Sequence, residues 1–264
     1  MITFIVYIRK DSDERTKNLN LVLPYYTNLF PDAKFIFVED SSENYFSYLK
    51  DKKNTKYISV LNDGQYNKSK SYNVGLAYAD TDIVCFLDID CIVSKENIQK
   101  GITTSLEYNN ICIGYNGVSI YFTYKTKNSI NESDNLYDYL DCLVDKSKLY
   151  LNYENEYYLV GNLKAVGGCL IGRDEVFKEI NGFNPNIIGW GYEDNEIIKR
   201  ALKLEIDVCY INTSKPYLFH LPHGVDGVDK SKHEHYEENF YLYNKVCNSS
   251  KLNLEEYIKT WSLI

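Results

Sequence analysis

Asp88 and Asp90 close an apolar run, Ile83-Val84-Cys85-Phe86-Leu87, whose length and β-branched content predict a buried strand. A central strand of an α/β sheet is apolar on both faces. Carboxylates are therefore expected only where it emerges, at the C-terminal edge where such sheets bind ligands. Side chains alternate along an extended chain, so the two acids point one way while Ile89 turns back into protein. Such a pair offers hard oxygen donors to a divalent cation, which can in turn hold a diphosphate. Acids that merely finish a solvated strand end look the same, and the pattern alone leaves both readings open.

Two further groups could do chemistry. In Gly189-Trp190-Gly191-Tyr192-Glu193-Asp194-Asn195-Glu196, glycines flank a large flat ring and acids follow at an expected helix start. There the helix dipole favours ionised carboxylates, and an ionised carboxylate beside a cleft is what a general base requires. Ordinary N-terminal helix acids fit those positions equally. His220 and His223, in His220-Leu221-Pro222-His223, are spaced to share a metal at a strand end, with Asp90 adding oxygen. Hydrogen-bonded structural histidines are the alternative, and His233 and His235 read as solvated.

The elements that must position these groups follow in order. Strands are expected at 2–8, 33–38, 57–61 and 83–87, and helices from Ser12 or Asp13 to 29 and over 67–79. Glu39-Asp40-Ser41-Ser42 reads as a polar turn at the sheet's ligand edge. This β/α alternation implies right-handed crossovers and a largely parallel, doubly wound sheet. Beyond Asp90 we expect a helix at 94–106, a strand at 111–123, a loop at 124–134 and a helix at 135–150. A strand at 165–172, helices at 173–180 and 193–204, a strand at 206–211 and C-terminal helices complete the chain. In the helix at 193–204, Ile197, Ile198, Ala201 and Leu202 are expected to face inward. No G-x-G-x-x-G follows the first strand and no P-loop occurs, so ordinary dinucleotide and P-loop chemistry are unsupported.

The 264 residues carry a net charge of −8, which argues against a nucleic-acid partner. Local lysine clusters, 52–56 and 146–148, are read first as solvated surface charge and leave room for peripheral association with an acidic membrane or a phosphate. Seven scattered cysteines without a C-x-x-C pair disfavour disulfides and thiolate zinc, which suits a reducing cytosol. The N-terminus resembles neither a membrane span nor a signal peptide, so the mature chain is expected to begin at Met1. The 26 tyrosines are read as compositional bias before a sugar-stacking surface.

Asn67 to Gly75, Asp88-Ile89-Asp90, Gly167-Gly168, Ile180 to Phe183, Gly189 to Glu196 and His223 resemble, in order and spacing, motifs of the β-1,4-galactosyltransferase family and related bacterial glycosyltransferases. The resemblance runs from about residue 60 to 225 and more loosely back to Arg9. It implies a GT-A fold of class α/β: a mostly parallel twisted sheet flanked by helices, with a smaller acceptor-binding part. It also implies a UDP-sugar donor, Mn²⁺ with Mg²⁺ as the alternative, and inversion at the anomeric centre. Carried over, Asp90 and His223 are the metal ligands, with Asp88 near metal and ribose and His220 where the animal enzymes place a Met ligand. Asp194 is the catalytic base, Glu193 holds the acceptor sugar with Trp190 and Tyr192 in the acceptor site, and Trp190 is the closing aromatic. Arg9, Lys68, Gly168 and Glu39 or Asp40 fall where relatives contact the nucleotide sugar. Ala165 stands where galactose-using relatives carry a bulky Tyr, which tilts the donor towards a 2-acetamido sugar. Ile188 and Asn195 depart from the family pattern of a second Trp and a third acid.

One GT-A domain over 1–264 is thus expected, with a nucleotide-sugar half at 1–93, an acceptor and catalytic half at 94–225 and a helical segment at 226–264. The Trp190 turn and the segment after His223, hinged at Gly224 and Gly227, are expected to order over the donor. A glycan or lipid-linked oligosaccharide at the inner membrane face is the expected acceptor. Two other classes stay open: a catalytically inactive sugar- or nucleotide-binding module, and a nucleotide-sugar phosphohydrolase.

Overall fold

The apolar runs pair into a seven-stranded sheet that forms the spine of the molecule. The computed structural model describes residues 1–130, 135–149, 154–223 and 233–263. Its strands are β1 (Ile2–Ile8), β2 (Lys34–Ser41), β3 (Thr55–Leu61), β4 (Ile83–Asp88), β5 (Cys91–Val93), β6 (Asn110–Ile113), β7 (Val118–Phe122), β8 (Tyr158–Leu163), β9 (Cys169–Arg173), β10 (Asp207–Tyr210) and β11 (Leu218–His220). The helices are α1 (Asp13–Leu29), α2 (Lys68–Tyr78), α3 (Lys95–Glu107), α4 (Tyr124–Lys127), α5 (Leu136–Cys142), α6 (Asp174–Glu179), α7 (Glu193–Lys203), α8 (Tyr236–Asn248) and α9 (Lys251–Tyr257).

The large sheet runs β10-β6-β9-β4-β1-β2-β3, and all neighbours are parallel except β9, which is antiparallel to both β4 and β6. β6, β9 and β10 lie beyond residue 93, so both halves of the sequence build one sheet. β1 is buried along its whole length, as a strand covered by helices on both faces must be. A second sheet, β5-β11-β7-β8, stands at the ligand edge of the first.

Several expectations shift. Residues 39–41 do not turn but continue β2, and all three are buried. The strand expected at 111–123 breaks at Gly114–Gly117, sending β6 to the large sheet and β7 to the small one. α4 sits in the stretch read as a loop, and the helix expected over 135–150 is the shorter α5. Between β2 and β3 only a 3₁₀ segment, Ser47–Asp51, makes the crossover.

α7 buries Ile197, Ile198 and Ala201 as expected, but Leu202 is 50 % exposed. Its inward face instead carries an ion pair: the Arg200 guanidinium meets both Glu196 carboxylate oxygens at 2.9 Å, and both residues are fully buried. Arg200 also donates to the carbonyls of Ile180 and Gly182, fixing the 180–182 turn to α7. Removing one partner of such a pair strands the other charge, so Arg200→Ala should lower stability by about 3–5 kcal/mol. Urea unfolding checks this. A loss below about 1 kcal/mol would mean that water reaches Glu196 readily.

Candidate active site

Short elements bring the chemistry together. β4 ends at Asp88, whose backbone N–H donates to the Gly168 carbonyl at 3.0 Å. The chain turns through Ile89-Asp90 into β5, and antiparallel pairing of β5 with β11 sets His220 opposite Cys91. Leu221 N–H then donates to the Asp90 carbonyl at 2.8 Å. Buried Asn18 on α1 and buried Lys127 on α4 both donate to the Pro222 carbonyl, at 3.2 and 3.3 Å. The result is a cavity of about 520 Å³ walled by Lys68, Asp88, Asp90, Ala165, Gly168, Trp190, Tyr192, Glu193, Asp194, His220 and His223. Every one of these was expected at the site from sequence.

Lys68, the first residue of α2, ties the acids into one knot. Its Nζ lies 2.9 Å from Asp88 Oδ2, 3.3 Å from Glu193 Oε1 and 3.5 Å from Asp194 Oδ2. Burial would lower its pKa, but Asp194, Asp88, Tyr72 and Glu193 hold it well above the ordinary lysine value. Asp88 is fixed further by the Tyr72 hydroxyl, which donates to Oδ1 at 2.6 Å while its ring packs on Phe86. Lys68, expected to contact nucleotide, lines the cavity with its ammonium among these carboxylates.

Asp194 sits in the first turn of α7 and packs against Gly167. A Cβ on Gly167 would lie 2.2 Å from Asp194 Oδ2, so only glycine leaves room for the carboxylate. Burial pushes the Asp194 pKa up to about 7; Lys68 opposes this, while Glu193 and Asp88 add to it. A carboxylate poised near neutrality is suited to general-base work.

Asp90 is 2 % exposed and has nitrogen donors around both of its oxygens. His220 Nε2 is 3.7 Å from Oδ1, His223 Nε2 is 3.4 Å from Oδ2, and Arg15 Nη1 is 3.5 Å from Oδ2. Burial alone would raise its pKa; His220, His223, Arg15 and Lys68 more than offset that and keep it well below the usual carboxylate range. One carboxylate with imidazoles on both oxygens fits a first-row divalent cation. Cys91 Sγ is also near, and Asp90, Cys91 and His220 have donor atoms within 4.8 Å of one another. Burial, with Asp90 and Asp88 adding, pushes the Cys91 thiol well above its ordinary value, while His223 Nε2, beside Asp90 Oδ2, offers a nitrogen donor as the alternative third ligand.

The 188–192 turn takes its shape from α8. Tyr192 adopts φ +69° between Gly191, at φ +109°, and α7. Buried Asn239 brackets the turn, accepting from Ile188 N–H at 3.2 Å and donating to the Ile188 and Trp190 carbonyls at 2.8 and 3.2 Å. The Trp190 ring stacks on Tyr236, with centroids 5.9 Å apart, and on His233 at 5.6 Å. The Tyr192 and Tyr236 hydroxyls meet at 2.8 Å. The hinges expected at Gly224 and Gly227 lie outside the described residues.

Three residues expected to contact nucleotide, Glu39, Arg9 and Asp40, lie outside the lining of the main cavity. Glu39 is fully buried and accepts from the N–H groups of Tyr45 and Phe46, each at 3.0 Å, and from the Tyr57 hydroxyl. It shapes a loop because β2 carries it inward. Arg9 donates to the carbonyls of Asp40 and Gly64 at 3.0 and 2.8 Å and does not line the main cavity. Asp40 accepts from Asn67 N–H at 2.7 Å and lines a separate cavity of about 250 Å³ with Asn62, Gln65 and Lys70. Conversely, Tyr7, Arg15, Tyr66 and Tyr115 line the main cavity without having been expected there. Each stands alone in sequence, and only the sheet order brings them together.

The fold is that of the GT-A glycosyltransferases. The chain belongs to Glycosyltransferase like family 2, whose sequence profile matches residues 7–218. Among solved structures it is similar to S. aureus TarS (residues 1–349) in complex with UDP-GlcNAc, at 16 % identity and a TM-score of 0.56, covering 97 % of this chain and 70 % of that one. It is also similar to a mutant of Drosophila β-1,4-galactosyltransferase 7 in complex with manganese, UDP-Gal and xylobiose. That likeness has 15 % identity and a TM-score of 0.52, over 91 % of this chain and 78 % of that one. At such identities the structures bear on fold. No curated protein matches the sequence. Among the described residues, no helix is long and apolar enough to cross a membrane.

Proposed function

We propose that this protein is a metal-dependent, inverting glycosyltransferase that moves a hexose or N-acetylhexosamine, Gal or GalNAc favoured, from a UDP-sugar to a glycan hydroxyl. The observation that carries the reading is Asp194: a half-buried carboxylate with its pKa pushed up to about 7, facing Lys68 across one cavity from Asp90, His220 and His223. Asp194 takes the proton of the acceptor hydroxyl as oxygen attacks the anomeric carbon from the face opposite UDP, so one displacement inverts the centre. Glu193 orients the acceptor, and Trp190 and Tyr192, braced on α8, keep water from the donor. A divalent cation held by Asp90, His220 and His223 would supply stabilisation of the charge growing on the diphosphate. Two imidazoles favour Mn²⁺ over Mg²⁺ in this role. Asp40, at the smaller cavity, keeps its proposed contact with uracil or ribose.

UDP-sugar complexes of both structural neighbours support the donor class. Ala165 lines the cavity where a bulkier residue would fill it, which favours a 2-acetamido group. A surface polysaccharide or lipid-linked oligosaccharide, met at the inner membrane face, is the acceptor we favour.

The test is UDP release from a panel of UDP-sugars with Mn²⁺, Mg²⁺ or chelator. Chelator-sensitive release is expected, with UDP-GalNAc preferred over UDP-Gal by about tenfold or more and the preference reversed by Ala165→Tyr. Release of UMP would identify a phosphohydrolase. Donor binding with neither transfer nor slow hydrolysis would identify a binding module.

A further inference from the structure

We propose that Arg15 is a diphosphate-binding residue that opposes the divalent cation at Asp90 when no nucleotide is bound and acts with it once a nucleoside diphosphate arrives. The inference rests on the cation site and UDP donor proposed above. Arg15 lies in the first turn of α1, its backbone N–H donating to the Ser12 cap at 3.2 Å. Asp11 steadies the guanidinium, with Oδ2 2.9 Å from Nε, while Nη1 reaches 3.5 Å from Asp90 Oδ2. That same oxygen is 3.4 Å from His223 Nε2. A cation ligated by Asp90 therefore shares its carboxylate with a fixed positive charge.

The charge pattern of the cavity says what resolves this conflict. Among its described lining residues, the carboxylates of Asp11, Asp88, Asp90, Glu193 and Asp194 outnumber the cations of Arg15, Lys68 and Lys164. Lys68 is ringed by three of those acids, and Lys164 lies exposed at the rim. Arg15, paired at Nε with Asp11 and reaching Asp90 through Nη1, is thus the cation placed next to the metal donors on the cavity wall. Its planar fork matches phosphate oxygens in a way that a point charge does not. A diphosphate bridging Arg15 and the cation turns their mutual repulsion into shared attraction for one anion. The two ligands then become reciprocally coupled: nucleotide tightens the metal and metal tightens the nucleotide.

The experiment measures binding of Mn²⁺, by the EPR signal of the free ion, and of UDP, by calorimetry, on the full chain and on Arg15→Gln and Arg15→Lys. Arg15→Gln should bind Mn²⁺ alone about threefold or more tighter, yet bind UDP at saturating Mn²⁺ about tenfold or more weaker. Arg15→Lys keeps the charge beside Asp90 and loses the fork. It should leave Mn²⁺ affinity near wild type and still weaken UDP, which gives a second reading should the Gln variant loosen α1. Unchanged or weaker Mn²⁺ binding in a folded Arg15→Gln, or UDP affinity untouched in both variants, overturns the proposal. Wild-type protein that binds UDP equally with Mn²⁺ and with chelator overturns the cation site itself, and this coupling with it, before any variant is compared.

Discussion

Asp194→Asn is expected to lower kcat by about 10²–10⁴-fold while leaving the donor KM within about twofold, the signature of a group needed only in the transition state. The substitution keeps shape and removes the proton acceptor. Because burial raises the Asp194 pKa from 3.8 to about 7, the wild-type rate should climb as pH rises through about 7 and then level off; the residual rate of the variant should lack that limb. Stability carries the opposite sign. Between about 4 and 7 the folded protein holds a proton on Asp194 that the unfolded chain has released, so this group's contribution to stability falls as pH rises through that window. Asp194→Asn should flatten that slope in pH-dependent urea titrations. A variant retaining more than about a tenth of wild-type kcat would move the base elsewhere, with Glu193 the next candidate.

Gly167→Ala should be nearly as damaging without touching a titratable group. The added methyl would lie 2.2 Å from Asp194 Oδ2 and 3.0 Å from Cγ, so the carboxylate must swing off Lys68 and away from its working position. Displacing a reacting group by about an ångström costs on the order of 10² in rate. Gly167 has no positive φ, and the cavity beside it gives the displaced side chain somewhere to go, so the fold should survive. The diagnostic is the double variant. If the methyl acts through Asp194, then Gly167→Ala added to Asp194→Asn should cost little more than Asp194→Asn alone. Losses that multiply would instead mean a separate effect, for example on the Gly167 carbonyl that accepts from Tyr115.

Why some of this was legible in the sequence and some was not comes down to range. β1, α1, α2, β4 and α7 announce themselves through local patterns: apolar runs, the Ser12 and Asn67 caps, and acids at a helix start. The acids at 88, 90, 193 and 194 and the histidines at 220 and 223 could therefore be named before the fold was known. β5 and β11 could not, being three residues each and defined only by pairing with one another. The inward turn of Glu39 depends on its register in β2 against β3, where Glu39 pairs with Ser59, and not on any motif. Glu196 and Arg200 look like an exposed i, i+4 pair; only the carbonyls of Ile180 and Gly182, distant in sequence, make a buried home for them. Arg15 gave no signal, since one more charged residue in a first helical turn is unremarkable until Asp90 lies beside it.

The docking of the 188–192 turn on α8 has a consequence for the order in which the molecule is completed. Trp190 leaves the ribosome well before Asn239 and Tyr236, which give its turn its shape. A nascent chain that has emerged through α7 can already pair most of the large sheet and set Asp194 against Lys68. Its Trp190 and Tyr192 rings, however, lack their Tyr236 partner until the later helix emerges. If those rings shield the donor as proposed, their shielding is the last part of the site to be completed, and a half-made chain would leave the cavity open to water on that side.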